Sequence, residues 1–291
     1  MICDDYVAAS TTEEALATLA SLRGQGRLIA GGTDLVIQLQ RRERKVGCLV
    51  DITRIPGLHD IRLQDSYIII GATATHSQIE RSLLIRERAA VLAEACSKVG
   101  SPQIRNTGTL AGNVVNAQPA ADGSIALLAL DAEAEIANLT GRQWVPIGSL
   151  YVSPGVSRVD ATTEMVTAFR FRAQAPRESS AFERLARRKA VALPLINVGV
   201  RVLLDAEGTH VRDARISIGP VAQVPFRAQE AEAVLRNRSI NPETIDETAE
   251  SATRESKPRS SLLRASKEYR RELIRVLVRR ALLRAIQSAR G

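Results

Sequence analysis

The chain has 291 residues, of which 45% are hydrophobic, 25% charged and only 3% aromatic. Its length predicts about two domains, and its apolar content excludes a disordered or low-complexity chain. No stretch approaches the roughly 20 consecutive apolar residues that a membrane-spanning helix needs. The first ten residues, MICDDYVAAS, lack the basic and apolar regions of a secretion signal. We therefore expect a cytoplasmic protein without a membrane span.

The net charge of +8 is concentrated at the C-terminus. Residues 254–291 hold 12 Lys and Arg against 3 Asp and Glu, whereas the preceding 253 residues hold 28 against 29. Apolar residues recur at helical spacing from Leu273 to Ala285, with arginines mostly between them, which predicts an amphipathic helix with a basic face. Since no aromatic stacking residues or recognition motif accompany it, we expect this face to meet solvent or a partner protein, not nucleic acid.

Three cysteines and three histidines restrict metal chemistry. Cys3, Cys48 and Cys96 form no CxxC pair, so the sequence offers neither a disulfide framework nor ligands for an iron–sulfur cluster. The histidines lie far apart and lack the spacing of metal ligands. We predict no metal site, which leaves an organic cofactor, or metals on a partner, for any redox chemistry.

The first part of the chain is typical of small alternating α/β units. Ser10 and Glu13 fit a capping box before a first helix. Apolar runs then predict strands at 27–30, 48–52, 67–71, 132–137 and 165–171, helices at 35–39, 79–84 and 89–99, and an apolar segment at 125–130.

The Pro- and Ser-containing stretch at 176–180 is the best linker candidate. Beyond it the pattern predicts strands at 195–204 and 212–218, helices at 229–236 and 242–255, and the basic terminal helix. We therefore predict a mixed α/β part over 1–175, divided at about residue 57 into 1–57 and 58–175, and a smaller α+β part over 177–291.

Residues 30–35, AGGTDL, lie between a predicted strand and a predicted helix. Glycines let a backbone approach a ligand closely, and unpaired N–H groups at a helix start bind phosphate oxygens. The segment matches neither the GxGxxG fingerprint nor a Walker A loop. By itself it fits an ordinary strand-to-helix turn as well as it fits a phosphate site.

A second segment, residues 103–116, is dense in Gly, Asn and Thr between two apolar stretches. Such a long polar connection is typically functional or disordered, and its composition favours an ordered nest of amides that suits a diphosphate. A downstream acid, Asp122, is placed to accept hydrogen bonds from a ribose hydroxyl. Two such loops predict a bound dinucleotide, with two tight turns as the alternative.

The motifs taken together resemble a known family, the FAD-binding medium subunit of molybdenum hydroxylases, which include xanthine, carbon monoxide and nicotinate dehydrogenase complexes. The matching segments are AGGTDL at 30–35, IGATAT at 70–75, IRNTGTLAGN at 104–113, PAADG at 119–123, ISIGPVAQVPFRAQEAEAVL at 216–235 and RASKEYRRELIRVLVRRAL at 264–282. The resemblance covers nearly the whole chain, in the expected order.

This resemblance implies an α+β protein, with a two-subdomain FAD-binding domain of the vanillyl-alcohol-oxidase (PCMH) type over 1–175. A small α+β domain of the carbon monoxide dehydrogenase flavoprotein type follows over 177–291. It implies FAD as this chain's cofactor, and molybdopterin and [2Fe–2S] clusters on a large and a small partner subunit, in a dimer of heterotrimers. No residue of this chain is then expected to be catalytic or to bind metal.

The resemblance also implies which residues contact FAD. They are Ala30, Gly31, Gly32, Thr33, Asp34 and Leu35 in the first segment, Thr109, Leu110, Ala111, Gly112 and Asn113 in the second, Asp122 on the ribose side, and Lys189 near the flavin. Two positions depart from the family pattern. Ala111 replaces the first glycine of the family's pair, at a cost of about 1 kcal/mol if that position needs a positive φ. Ala192 stands where many members carry Asp, close to Lys189.

The function that follows is electron transfer, from the iron–sulfur clusters of a partner through FAD to an external acceptor. A free-standing FAD-dependent oxidoreductase with its own substrate pocket is the alternative, although few histidines and no acid–base constellation support it. An assembly protein that has lost its cofactor is a third possibility.

Overall fold

The computed structural model describes residues 3–261 and 265–291. Its strands, in chain order, are β1 (Asp5–Ala8), β2 (Gly26–Ile29), β3 (Cys48–Asp51), β4 (Ile61–Gln64), β5 (Tyr67–Gly71), β6 (Glu133–Asn138), β7 (Gly141–Pro146), β8 (Tyr151–Ser153), β9 (Val156–Ser157), β10 (Met165–Arg172), β11 (Glu178–Ala186), β12 (Pro194–Leu204), β13 (His210–Gly219), β14 (Phe226–Arg227) and β15 (Arg238–Ser239).

The α-helices are α1 (Thr12–Ser21), α2 (Leu35–Gln40), α3 (His76–Arg81), α4 (Leu83–Arg88), α5 (Ala90–Ser97), α6 (Pro102–Thr107), α7 (Leu110–Val115), α8 (Asp122–Ala129), α9 (Gln229–Leu235), α10 (Pro242–Glu255) and α11 (Lys267–Arg290). A 3-10 turn spans Ile147–Leu150. Within the described residues, none of these helices is long and apolar enough to cross a membrane.

Three larger sheets organise the chain, and β8 and β9 form a separate two-stranded sheet. The first is parallel, in the order β1-β3-β2. The second is antiparallel, in the order β4-β5-β10-β6-β7. The third is antiparallel, with β11, β12, β13 and β14 in order and β15 paired to β13. Each larger sheet has its own cluster of buried apolar side chains, because a sheet must bury its apolar face against another layer.

Helix α8 lies between the second and third sheets. All eight of its residues, Asp122–Ala129, are buried, since α5 contacts it on one side and strands β12 and β13 on the other. Gly199 on β12 permits this packing, because a Cβ there would lie 3.2 Å from the Ala129 Cβ. A helix covered all round needs an apolar sequence all round, which explains why residues 125–130 show no helical periodicity.

The basic C-terminal helix is confirmed, and it packs its apolar side on β11 and β12. Three of its arginines pair with acids of neighbouring elements: Arg275 with Glu250 at 3.6 Å, Arg279 with Asp246 at 2.7 Å, and Arg284 with Glu94 at 2.6 Å and Glu183 at 2.8 Å. Part of the predicted basic face is therefore neutralised within the chain. Arg264, the first residue of the motif at 264–282, lies outside the described residues.

Two local predictions were wrong. The first helix is capped by Thr11, whose side chain accepts from the Glu14 amide at 3.0 Å, one residue later than the predicted capping box. Glu14 in turn accepts from the Ser10 amide at 2.7 Å. The stretch 176–180 is not wholly a linker, because β11 begins at Glu178 and pairs with β12 along its length.

Candidate functional site

A cleft of about 890 Å³ runs between the three structural units, a volume within the usual range for ligand pockets. One wall comes from residues 27–35 and another from residues within 104–121. Residues within 155–166 form a third side, and Leu193 and Pro220 reach it from the third sheet. The two glycine-bearing segments that the sequence singled out thus face one common space.

The first segment, residues 30–35, lines the cleft along its whole length. Gly31 touches the second segment directly, since a Cβ there would lie 2.0 Å from the Thr107 carbonyl oxygen. Gly32 has φ +65°, a conformation that glycine adopts without strain. Within the described residues, the backbone N–H groups of Gly31, Gly32 and Thr33 donate to no protein acceptor. The segment therefore presents consecutive free donors, the arrangement that binds phosphate oxygens.

The second segment is not the ordered nest that its composition predicted. Residues 102–107 and 110–115 form two short helices, α6 and α7, separated by Gly108 and Thr109. Ser101 caps α6, with Pro102 in its first turn, and Thr109 caps α7 by accepting from the Gly112 amide at 3.1 Å. The loop prediction failed because short polar segments with good N-caps are also compatible with single-turn helices.

Leu110 and Ala111 lie behind the cleft wall and not on it. Both are buried, and their amides donate to the carbonyls of Ala74 at 3.0 Å and Ala72 at 3.3 Å. Those two donors are thus used within the protein. Ala111 does not have a positive φ, so its methyl group brings none of the backbone strain considered for this departure from the family pattern.

Thr109, Gly112 and Asn113 do line the cleft. The Asn113 Oδ1 atom is buried and has no hydrogen-bond partner among the described residues. Such an orphaned buried oxygen is costly unless a ligand or water satisfies it. This side of the cleft therefore provides polar side-chain groups, whereas the first segment provides backbone donors.

Asp122 and Lys189 are not brought to the cleft surface. Asp122 is 5% exposed and accepts from Asn197 Nδ2 at 2.6 Å and from Arg184 Nε at 3.2 Å. Burial raises its pKa to about 6, against the opposing effect of Arg184. Lys189 is exposed on the β11–β12 connection, and from that connection Leu193 contributes to the cleft. Their contacts with ribose and flavin stay predictions.

Three of the cleft residues that sequence reasoning missed are basic. Arg27 and Arg44 bring two positive charges to the first wall. Burial and the charge of Arg44 both lower the pKa of Arg27, so a bound anion would relieve their repulsion. The arginine directly before the glycine loop was a usable signal, whereas nothing marked Arg44 within its basic run.

The third missed residue is His76, which is 2% exposed and lines the cleft below Gly108. Its amide donates to the Gly108 carbonyl at 3.0 Å, and its Nδ1 lies 3.4 Å from the Cys96 Sγ. Burial lowers the pKa of His76 to about 4, so the imidazole is neutral at physiological pH. It follows the IGATAT motif at 70–75, which was the available signal.

Free amides, two arginines and the polar side chains of Thr109 and Asn113 together suit a ligand with a diphosphate and further polar groups. Comparison with known proteins agrees. Residues 2–171 match the family model described as the FAD binding domain in molybdopterin dehydrogenase, and residues 180–285 match the CO dehydrogenase flavoprotein C-terminal domain. The chain belongs to this family of FAD-binding subunits of molybdenum-dependent dehydrogenases.

Two relatives show how far the similarity extends. The chain is 33% identical over 289 residues to the xanthine dehydrogenase FAD-binding subunit of Escherichia coli O157:H7, covering 98% of this chain and 97% of the relative. It is 34% identical over 286 residues to the 6-hydroxypseudooxynicotine dehydrogenase complex subunit alpha of Paenarthrobacter nicotinovorans, covering 98% and 95%. The family resemblance inferred from motifs is thereby confirmed.

Comparison with solved structures supports the same family at the level of the fold. The chain is similar to one in a carbon monoxide dehydrogenase from Hydrogenophaga pseudoflava, with a TM-score of 0.91 and 28% identity over 99% of this chain and 98% of that one. It is also similar to one in quinoline 2-oxidoreductase from Pseudomonas putida 86, with a TM-score of 0.90 and 26% identity over 98% and 97%. The predicted α+β fold, with an FAD-binding PCMH-type domain followed by a C-terminal domain, is confirmed.

Proposed function

We propose that this chain passes electrons from the [2Fe–2S] clusters of a partner subunit through FAD to an external acceptor. The observation that carries the proposal is the run of free backbone donors at Gly31, Gly32 and Thr33, set in the wall of an FAD-sized cleft. A protein that had lost its cofactor would be under no constraint to keep unpaired amides beside two arginines.

The chain's own residues bind and orient the cofactor. The amides of 31–33 would hold the diphosphate, and Arg27 and Arg44 would offset its charge. The Asn113 side chain, which lines the cleft, would add a polar contact, and neutral His76 would lie at the floor of the site. When bound, FAD supplies redox chemistry that exchanges electrons singly or in pairs. Ala30, Asp34, Leu35, Thr109 and Gly112 line the site.

For the whole assembly, we propose a large molybdopterin subunit and a small iron–sulfur subunit, as a cytoplasmic dimer of heterotrimers. The three free cysteines support this division, because Cys48 and Cys96 are buried and Cys3 is partly so. They cannot provide the four ligands of a cluster. The domain limits of 1–175, divided near residue 57, and 177–291 belong to the same proposal, with one of the three larger sheets in each part.

The test is the visible absorbance spectrum of the complex isolated through a tag on this chain. Flavin bands with iron–sulfur absorbance and two co-purifying chains are expected. Flavin bands on a lone chain that oxidises a small substrate would replace the proposal with a free-standing flavoenzyme. A colourless preparation that cannot be reconstituted with FAD would contradict cofactor binding.

A further inference from the structure

Three positions on the third sheet lie side by side behind the cleft wall. Arg184, Asn197 and Gly219 are register partners across β11, β12 and β13. They face the segment 119–122, of which residues 119–121 line the cleft and Asp122 begins α8. This row therefore lies one layer behind the proposed FAD site.

The three residues of this row contact residues 119, 120 and 122 of that segment. Asn197 Nδ2 donates to the Asp122 Oδ1 at 2.6 Å and to the Ala120 carbonyl at 3.3 Å. Arg184 Nε donates to the same Asp122 oxygen at 3.2 Å. Gly219 lets the backbone of Pro119 come close, because a Cβ there would lie 2.5 Å from the Pro119 carbonyl oxygen. The cleft wall thus rests on three adjacent strands.

Arg184 also contacts the chain next to a further cleft-lining residue. The Arg184 Nη2 atom donates to the carbonyl oxygen of Ala192. The next residue, Leu193, lines the cleft. The side chains of Arg184 and Asp122 are 8% and 6% exposed, so water screens this pair weakly. A single planar guanidinium, with several donors in fixed directions, therefore joins two parts of the chain that border the cleft and are distant in sequence.

We propose that Arg184 is a positioning residue for FAD, which fixes the relative position of the cleft-lining residues 119–121 and Leu193 without touching the cofactor. Asp122 and Asn197 complete this clamp. The inference rests on the proposed binding of FAD in the cleft and assigns Arg184 a role that neither the motifs nor the cleft lining indicated.

The clamp gives FAD binding a pH dependence. Burial raises the pKa of Asp122 to about 6. The charges nearest Asp122 are Arg184 on β11 and Lys98 just after α5; the Cys96 thiol on α5 is kept protonated by burial, and His76 titrates at about 4. Above pH 6 the carboxylate holds Arg184, whereas below pH 6 the neutral acid attracts it weakly. One pH unit below the pKa about nine in ten carboxyls are protonated, so we expect weaker FAD binding at pH 5 than at pH 8, by roughly tenfold at most.

The experiment titrates the deflavinated full chain with FAD at several pH values and follows flavin fluorescence. Arg184→Met should weaken FAD binding at least tenfold and abolish the pH dependence. Arg184→Lys should restore the pH dependence and part of the affinity, because it keeps the charge but loses the forked geometry. If Arg184→Met does not fold, the Asp122→Asn variant tests the proposal instead, because the proposal requires its FAD affinity to be independent of pH.

The matched control is Arg201→Met. Arg201 is a similarly buried arginine, paired with Glu178 at 3.4 Å and Asp213 at 3.3 Å, but it contacts neither cleft wall. The Arg201→Met substitution should lower the melting temperature and leave the FAD affinity and its pH dependence unchanged. The inference is overturned if Arg184→Met binds FAD like the wild type, if Arg201→Met reproduces its effect, or if Asp122→Asn keeps the pH dependence. Failure of the wild type to bind FAD would instead contradict the proposed function.

Discussion

The two glycine-bearing segments of the cleft look alike in sequence and behave differently in the structure. The first, residues 30–35, leaves the amides of Gly31, Gly32 and Thr33 without protein acceptors. The second, residues 104–113, folds into ends of two helices, and its Leu110 and Ala111 amides are bonded within the protein. The first segment is therefore built for a ligand, and the second mainly supports it.

This difference shows that glycine content alone does not identify a phosphate site. What matters is whether the backbone donors next to the glycines are satisfied elsewhere. The absence of a side chain allows Gly31 to pack closely against Thr107 and allows Gly32 to adopt a positive φ. Within the described part of the chain, the amides of this turn have no protein acceptor. The Gly112 amide, by contrast, donates to the Thr109 hydroxyl, which caps the helix.

The largest effect is expected for Gly31→Ala. Its methyl group would lie 2.0 Å from the Thr107 carbonyl oxygen and 2.7 Å from the carbonyl carbon, and backbone atoms cannot yield as a flexible side chain can. We expect a loss of about 3 kcal/mol in the free energy of unfolding and a flavin content lower by roughly tenfold or more. Urea denaturation and the flavin-to-protein absorbance ratio measure both.

Gly148→Ala is the control for that variant. A Cβ at Gly148 would meet its nearest heavy atom, Leu128 Cδ1, at 3.5 Å, which is ordinary contact. Both the stability and the flavin content should stay at the wild-type level. A Gly31→Ala protein that behaved like this control would show that the two segments do not pack as described.

A smaller but more specific effect is expected for Gly32→Asp. The new carboxylate would lie beside the diphosphate, and two like charges a few ångströms apart repel by about 1 to 4 kcal/mol near a protein surface. FAD affinity should therefore fall by tenfold or more relative to Gly32→Asn. Asparagine is the matched comparison, because both residues tolerate the φ of +65° and differ only in charge. Equal losses would mean that no phosphate lies near this loop.

For the second segment, Thr109→Val should affect the fold more than the ligand. The variant removes the hydroxyl that accepts from the Gly112 amide at 3.1 Å, and loss of an N-cap costs about 1 kcal/mol. We expect the melting temperature to drop while FAD affinity changes less than twofold to threefold. Thr109→Ser keeps the hydroxyl and should restore stability. A loss of affinity as large as that of Gly32→Asp would remove the distinction between the segments.

The smallest effect is expected for Ala111→Gly, the change toward the family's usual sequence. Ala111 lies in a helix without a positive φ, so glycine there adds flexibility and relieves no strain. Stability should fall by about 0.5 to 1 kcal/mol, with FAD affinity unchanged. Tighter FAD binding by this variant would show that the methyl group obstructs the cofactor.

Much of the fold could be predicted from periodicity. The strands at 67–71, 165–171 and 195–204, and the helix at 242–255, appear where the pattern placed them. Strands β4, β7 and β11 were missed because they are exposed or polar on one face and short of apolar residues. Their conformation depends on pairing with a neighbour that is distant in sequence, so no local signal marks them.

The features of the site also divide into those that the sequence identified and those that it did not. The sequence by itself determined the family, the FAD cofactor and the loop at 30–35, because glycines at a strand end and motifs in order are local properties. The tertiary structure alone decided which amides stay free and that His76 forms part of the cleft. It also placed Asp122 behind the wall, held by Arg184 and Asn197. The reason is physical. Whether a group is buried or hydrogen-bonded depends on the backbone and side chains that pack against it, and around Asp122 these belong to strands more than 60 residues away in sequence.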